Sequence, residues 1–398
     1  MKELWYRFWH WLAARSYFDC ITVRYPERLP EDGPCLYVAL HRNGAVDGFV
    51  YRQAVPRAVF LISSQLRRSF LARCFFCGIA VTRRGDAGDR SENTAALREC
   101  VQLLADGGGL VVFPEGTSSL GPRHLPFRNG AASIALEALG RQVPLRIVPL
   151  GIHYEQAWAF RSRVEVVVGE PIATTLPEDL SDSGRLREMK RSLTTGLESV
   201  GANFPSAAVQ EEAGRLACTA ALDPSRSFFT SLKSLESGVP ESLAAQGREL
   251  ESRLAGCRVL RYQGVALFPG ASWWQDVWRL LLAGPVVLAG GLINLPPLLA
   301  GYLAARRRAD GPNVIALWRL LAGLPVALLW WGLVSAVLLG SGLGGWLSGY
   351  AILTMSVLRL TNRTWQWAVS VWNGLICPHL AGPAREFRQS ILQTLPRP

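Results

Sequence analysis

Two groups of residues have types and spacings that can do chemistry. The first is His41 followed by Arg42-Asn43-Gly44-Ala45-Val46-Asp47, directly after the apolar run Cys35-Leu36-Tyr37-Val38-Ala39-Leu40. Open α/β sheets place their sites where strands end. Asp47 follows His41 closely enough for its carboxylate to reach the ring across a tight turn. A carboxylate on Nδ1 fixes the imidazole tautomer, steadies the imidazolium and leaves Nε2 as a base. A histidine held in this way can take the proton from an alcohol attacking an acyl carbon. The second group is Val111-Val112-Phe113-Pro114-Glu115-Gly116-Thr117-Ser118-Ser119, an apolar run that passes straight into Pro-Glu-Gly-Thr. Glycine there lets the backbone approach a ligand, and successive turn amides and hydroxyls can bind a phosphate. Taken singly, each group also has a bland reading, an incidental His–Asp pair and an ordinary strand-to-loop turn.

These residues need elements to hold them. Short apolar runs at 35–40, 58–62, 78–82, 109–113, 146–152 and 164–168 read as strands, and 93–105 and 130–139 have helical spacing. Strands alternating with helices predict an α/β layered domain with a mostly parallel sheet flanked by helices, over residues 20–203. Residues 204–271 are rich in Ala, Leu, Glu and Arg, with a break at Gly238-Val239-Pro240, and read as a helical linker domain with a structural role. At the amino end, Trp5, Phe8, Trp9 and Leu12 recur at helical spacing beside Lys2, Arg7 and Arg15. That pattern predicts an amphipathic membrane-interface helix over residues 1–19.

The 398 residues carry 42 Lys+Arg against 31 Asp+Glu, a net charge of +11, with 14 Trp and only 3 Met. Such an apolar, modestly charged chain is not disordered. Charges run throughout residues 1–270, which excludes a pure multi-span transporter, and then they stop. Residues 280–305 are uncharged and close on Arg306-Arg307-Arg308. Residues 320–358 are also uncharged, too long for a single span of about 20 residues, and Gly340-Ser341-Gly342-Leu343-Gly344-Gly345 divides them into two helices. Gly290-Gly291 and Pro296-Pro297 interrupt the first stretch, which reads as a re-entrant hairpin. Basic residues at the ends of both stretches predict that those ends face the cytoplasm. Residues 272–377 are thus expected to be membrane-embedded hairpins, followed by a tail at 378–398. The same glycine segment matches G-x-G-x-x-G, but between two membrane-length apolar runs that match is noise.

The eight cysteines are scattered, and residues 1–18 do not read as a signal peptide because Lys2, Glu3 and Arg7 interrupt them. Buried, inert thiols are expected, and Cys74-Phe75-Phe76-Cys77 alone does not make a zinc or redox site.

Together the two groups resemble the first and third motifs of the glycerol-phosphate and lysophosphatidate acyltransferase family. Gly78-Ile79-Ala80-Val81-Thr82-Arg83-Arg84 looks like its second motif, Ile147-Val148-Pro149-Leu150-Gly151 like its fourth, and Gly169-Glu170-Pro171-Ile172 like the strand end that closes the domain. The likeness covers roughly residues 28–175. Five residues separate His41 from Asp47 where the family usually has four, a spacing similar to the fungal-type glycerol-3-phosphate acyltransferases, which also carry a C-terminal membrane region. Ser118 stands where the family often has arginine.

The resemblance implies transfer of a fatty acyl group from acyl-CoA or acyl carrier protein to a glycerolipid hydroxyl, with no covalent intermediate, no cofactor and no metal. In it His41 would be the base and Asp47 its orienter. Glu115, Gly116, Thr117 and Ser118 would position the acceptor. Arg83, and after it Arg128, would neutralise its phosphate, with Arg84 and Arg123 as weaker candidates. The expected acceptor is 1-acyl-glycerol-3-phosphate; glycerol-3-phosphate is the alternative, and an inactive membrane scaffold of the same fold is a third reading. The expected partners are membrane lipid, the acyl donor and the phosphate-bearing acceptor, without nucleic acid, at a membrane with the active site on its cytoplasmic face.

Overall fold

A computed structural model of the chain describes residues 2–67, 73, 75–82, 92–270 and 272–397. They form two compact units. The first comprises residues 1–15, 21–154 and 164–203, and the second comprises residues 16–20, 155–163 and 204–398.

The first unit is built on a seven-stranded sheet in the order β1-β7-β6-β2-β5-β3-β4. The strands are β1 (Cys20–Arg24), β2 (Cys35–Ala39), β3 (Val59–Ser63), β4 (Ile79–Val81), β5 (Gly109–Val112), β6 (Arg146–Tyr154) and β7 (Arg163–Val168). β2 pairs in parallel with β5 and β6, and β3 in parallel with β5 and β4, whereas β7 returns antiparallel to β6. All five residues of β2 are buried, as a central strand covered on both faces requires. Full burial of side chains such as Leu36, Leu110 and Ile147 contributes roughly 1.5–3 kcal/mol each.

Helices α1 (Lys2–Tyr17), α2 (Val46–Ala54), α3 (Glu92–Ala105), α4 (Gly130–Gly140) and α5 (Asp182–Ser199) accompany the sheet. α4 and α5 each bury the stripe their spacing dictates. α4 does so with Ala131, Ala132, Ala135 and Ala138, and α5 with Met189, Leu193 and Leu197. The N-cap of α5 is Ser181, whose hydroxyl accepts from the Gly184 N–H. The outward face of α1 overlaps the expected stripe at Trp5 and Phe8 and extends to Leu4 and Trp11. Leu4, Trp5, Phe8 and Trp11 are exposed, whereas Trp9 packs edge-on against Phe75 and His10 is buried.

The second unit is helical: α6 (Ala207–Ala221), α7 (Phe228–Ser234), α8 (Glu241–Leu254), α9 (Trp273–Ile293), α10 (Leu295–Arg308), α11 (Pro312–Gly340), α12 (Trp346–Ile376) and α13 (Ala381–Thr394). The segment at 204–271 and the apolar helices therefore share one unit. α9 and α11 are long and apolar enough to cross a membrane by length and composition. The 21 residues of α9 span about 31 Å.

The division of 320–358 falls at residues 341–345, between α11 and α12, as the glycines predict. In the first stretch the break lies elsewhere than expected. α9 runs through Gly290-Gly291 unbroken, and Pro296 and Pro297 sit in the first turn of α10. A first turn has no intrahelical partner for its N–H groups, so proline is tolerated there. The interruption is at Asn294, whose side-chain N–H groups donate to the Gly290 carbonyl (2.9 Å) and to Thr354 (3.3 Å) while its oxygen accepts from the Tyr350 hydroxyl (2.9 Å).

Candidate active site

β2 and β5 lie side by side and parallel, with Val38 opposite Val112. Their carboxyl ends therefore deliver His41 and the 113–119 turn to one edge of the sheet, where open α/β sheets bind ligands. The His41 ring stacks on Phe113 with centroids 4.4 Å apart and planes 20° from parallel. α2 begins immediately beyond, and the Tyr51 hydroxyl on it donates to the carbonyls of Leu40 (2.9 Å) and Leu150 (3.2 Å), which pins the helix over the end of β2 and the middle of β6.

Asp47 lies in the first turn of α2 and is fully buried. Its Oδ2 accepts from His41 Nδ1 at 2.9 Å, from the Arg42 N–H at 2.6 Å and from the Asn43 N–H at 2.9 Å. Its Oδ1 accepts from the Tyr154 hydroxyl at 2.7 Å. A carboxylate can only accept, so Nδ1 carries the proton and Nε2 holds the lone pair. His41 Nε2 has no hydrogen-bond partner among the described residues. Residues 42–45 form the loop into α2, and its first two amides close on the carboxylate.

Glu115 is also buried, and both its oxygens are engaged. Oε1 accepts from the His41 N–H at 2.8 Å and Oε2 from the Leu125 N–H at 3.0 Å. Burial raises its pKa, against the two backbone bonds and the nearby Arg42 charge. It thus ties the residue carrying the imidazole to the loop that follows the 113–119 turn. The same loop is held by a Ser119 N–H bond to the His41 carbonyl (3.1 Å) and an Arg42 Nη2 bond to the Gly121 carbonyl (2.9 Å). Burial lowers the Arg42 pKa, opposed first by Glu115 and then by Asp47. The half-buried Arg42 guanidinium thus lies in the field of two buried carboxylates beside the histidine.

Gly116 has φ +73, the left-handed region that favours glycine, and its N–H closes the turn onto the Phe113 carbonyl at 3.0 Å. A Cβ there would stand 3.0 Å from the Arg128 Nε, so the exposed Arg128 guanidinium lies against the Glu115-Gly116 backbone. Arg128 is itself tied by its N–H to the Pro114 carbonyl, 2.9 Å. Thr117 is exposed and Ser118 half-buried at the same turn. His41, Asp47, Glu115, Gly116 and Arg128 therefore meet at one end of the sheet. Arg83 and Arg84 lie outside the described residues, as does Cys74.

Tyr154, Tyr51 and Arg42 join this cluster without having been singled out by spacing. The available signal was position. β6 pairs with β2 and continues to Tyr154, so a tyrosine at its carboxyl end reaches the helix carrying Asp47. Among the described residues, no group of three His, Cys, Asp or Glu side chains could hold a metal ion.

Residues 20–153 match the family model described as Acyltransferase. Glycerol-3-phosphate O-acyltransferase 2 of Saccharomyces cerevisiae is 32% identical over 123 residues, 29% of this chain and 17% of the relative. A 1-acyl-sn-glycerol-3-phosphate acyltransferase of Chlamydomonas reinhardtii is 30% identical over 141 residues, 35% of this chain and 42% of the relative. This chain therefore spans less than half the length of either. The crystal structure of the 1-acyl-sn-glycerophosphate (LPA) acyltransferase of Thermotoga maritima aligns with 50% of this chain and 79% of that one, at 21% identity and a TM-score of 0.35. The matched stretch, residues 20–153, is the one in which His41, Asp47 and Glu115 converge.

Proposed function

We propose that the chain is a membrane-bound O-acyltransferase that moves a fatty acyl group from acyl-CoA or acyl carrier protein to the free hydroxyl of 1-acyl-glycerol-3-phosphate. The observation that carries this reading is the imidazole of His41, fixed through Nδ1 by a carboxylate with every oxygen engaged, beside an open Nε2.

His41 Nε2 takes the proton of the acceptor hydroxyl as its oxygen attacks the thioester carbonyl. The new C–O bond forms, the tetrahedral centre collapses with cleavage of the C–S bond, and the departing sulfur takes the proton from Nε2 to leave as the free thiol, which restores the neutral imidazole. Asp47 steadies the imidazolium in between, and its buried bonds keep the ring from swinging away. Glu115 acts from behind, fixing the His41 backbone, while the Gly116–Ser118 turn and the Arg128 guanidinium receive the acceptor's phosphate, with Arg83 as the second cation.

A site working on lipids must be held at a bilayer. The apolar α9 and α11, with exposed Leu282, Leu288, Leu292 and Leu329, support insertion, as do the exposed aromatics of α1. The basic ends of the apolar stretches support a cytoplasmic face, and no metal or cofactor takes part.

A second reading, acylation of glycerol-3-phosphate itself, is favoured by the yeast relative's likeness. Purified protein offered radiolabelled acyl-CoA or acyl carrier protein with each acceptor separately decides between them. Product from lysophosphatidate alone is expected, and product from glycerol-3-phosphate makes it the first-step enzyme. His41→Ala should abolish transfer while the protein still folds and sediments with membranes; near-full activity in that variant overturns the proposed base.

A further inference from the structure

The second unit contains a cavity of about 310 Å³ bounded by α6, α8, α13 and residues 264–270. Its wall is apolar, with Leu243 and Leu254 buried and Phe268 and Phe387 half-buried. Four arginines and two glutamates also line it: Arg215, Arg248, Arg385 and Arg388 against Glu212 and Glu251. Most of those charges are already engaged. Arg215 pairs with Glu211 and Arg248 with Glu241, while Glu251 pairs with Arg261. Arg385 donates to the Ala381 and Gly270 carbonyls. Arg388 is exposed and makes no hydrogen bond or ion pair among the described residues; its charge is felt at Asp223 only through space. Arg385 and Arg388 are three residues apart on α13 and so share a face of the helix.

The position of this cavity in the chain bears on what can reach it. Gly270, at one wall, stands just before α9 begins at Trp273, and α13, at another, begins shortly after α12 ends at Ile376. Leu254 packs on Cys377 and Leu380, directly beyond the end of α12. Two of its walls are thus the stretches by which the chain enters and leaves its apolar helices. An apolar hollow with an unengaged cation at its rim, at that place, is complementary to an amphiphile with a negative head. A volume at the lower end of the roughly 300–1,000 Å³ of small-molecule pockets suits one alkyl chain.

We propose that this cavity binds a single-chain anionic phospholipid drawn from the bilayer, its alkyl chain against Leu243, Leu254, Phe268 and Phe387 and its phosphate on Arg388 and Arg385. It is a lipid site separate from His41, and it rests on the reading of the chain as membrane-bound. Basic side chains near an anionic membrane surface attract such headgroups.

The test uses the full chain in phosphatidylcholine nanodiscs, with lysophosphatidate carrying a diazirine in its alkyl chain, and lysophosphatidylcholine with the same tail for comparison. Photolabelled peptides are mapped by mass spectrometry. Lysophosphatidate should label residues 241–254 and 384–388 about fivefold more than lysophosphatidylcholine. Arg388→Gln should remove that preference and Arg388→Lys restore it. Leu250→Trp, which fills the cavity, should remove labelling by both lipids, and His41→Ala should leave it unchanged. Equal labelling by the two headgroups, or labelling indifferent to both Arg388→Gln and Leu250→Trp, overturns the proposal while nanodisc retention and acyl transfer stand. A chain that does not enter nanodiscs overturns both this proposal and the membrane reading beneath it.

Discussion

The Tyr154 hydroxyl donates to Asp47 Oδ1 at 2.7 Å, from the last residue of β6 to the first turn of α2. It is the sole donor to that oxygen among the described residues, the remaining three bonds to Asp47 all falling on Oδ2. Tyr154→Phe therefore leaves one oxygen of a fully buried carboxylate unsatisfied. A lost hydrogen bond to a charged group costs about 1.5–3 kcal/mol, and the variant should be less stable by that amount. Freed of one donor, the carboxylate can tilt and carry the imidazole with it, so kcat should fall about tenfold with KM little changed. Unfolding curves and steady-state kinetics on the same preparation test this. Unchanged stability and unchanged kcat would remove Tyr154 from the cluster.

Arg42 is the shared counter-charge of Asp47 and Glu115. Arg42→Met would remove the positive charge felt by both buried carboxylates and release the Gly121 carbonyl. A lost hydrogen bond from a charged group costs about 1.5–3 kcal/mol, so a drop in stability of that size and a marked loss of transfer are expected. Arg42→Lys keeps the charge and should recover part of both. If Arg42→Met is as stable as the parent, the guanidinium does not balance the carboxylates.

Glu115 gives a sign that can be measured. Burial raises its pKa, so between the ordinary carboxylate value and the folded one the native state holds the extra proton. Stability contributed by this residue therefore falls as pH rises through that window. Glu115→Gln should abolish that slope. It should also cost about 1–3 kcal/mol near neutral pH, because the amide presents a donor to one of two backbone N–H groups. A parent and variant with parallel pH profiles would contradict the assignment.

His10 has the opposite sign. It donates from Nε2 to the Phe75 carbonyl at 2.6 Å and packs on Phe49 with ring centroids 4.6 Å apart. Burial lowers its pKa from 6.5 to about 4, the Phe75 bond opposes this, and the Arg52 charge adds to it. Below pH 6.5 the unfolded chain takes a proton that the native state refuses until about pH 4, so stability falls with falling pH across that window. The full shift is worth about 3 kcal/mol. His10→Leu should be less stable at pH 7, having lost the bond to Phe75, and flatter between pH 6.5 and 4. Equilibrium denaturation at half-unit pH steps separates the two effects.

Much of the layout was legible because its signals are local. The strand-then-helix alternation, the end of a buried strand at His41 and the glycine break at 340–345 all depend on residues near one another in sequence. β1 escaped because Cys20-Ile21-Thr22-Val23-Arg24 is a short edge strand with one buried residue, without the unbroken apolar run that marked β2. Tyr154 escaped because a contact over 107 positions is set by β6 lying beside β2, which spacing along the chain does not encode. Glu115 stood out by type and motif, but that both its oxygens meet backbone amides depends on how the 119–125 loop folds back.

Gly290 shows the same limit and makes a prediction of its own. Glycine in an apolar helix reads as a breaker, yet α9 continues through it, because the residue is used for close approach. A Cβ at Gly290 would stand 2.2 Å from Val357 Cγ2 and 3.3 Å from Leu353 Cγ on α12. Val357 is β-branched and has little rotameric freedom on a helix, so the clash must be relieved by moving one helix. Small residues at helix–helix contacts serve this purpose in apolar surroundings. Gly290→Ala should therefore destabilise the α9–α12 pair by about 1–3 kcal/mol, despite alanine's better helix propensity. Adding Val357→Ala removes the opposing methyl groups and should return most of the loss. Thermal unfolding in detergent of the two single variants and the double variant gives the coupling directly. A double variant no more stable than Gly290→Ala alone would show that the helices do not meet at these residues.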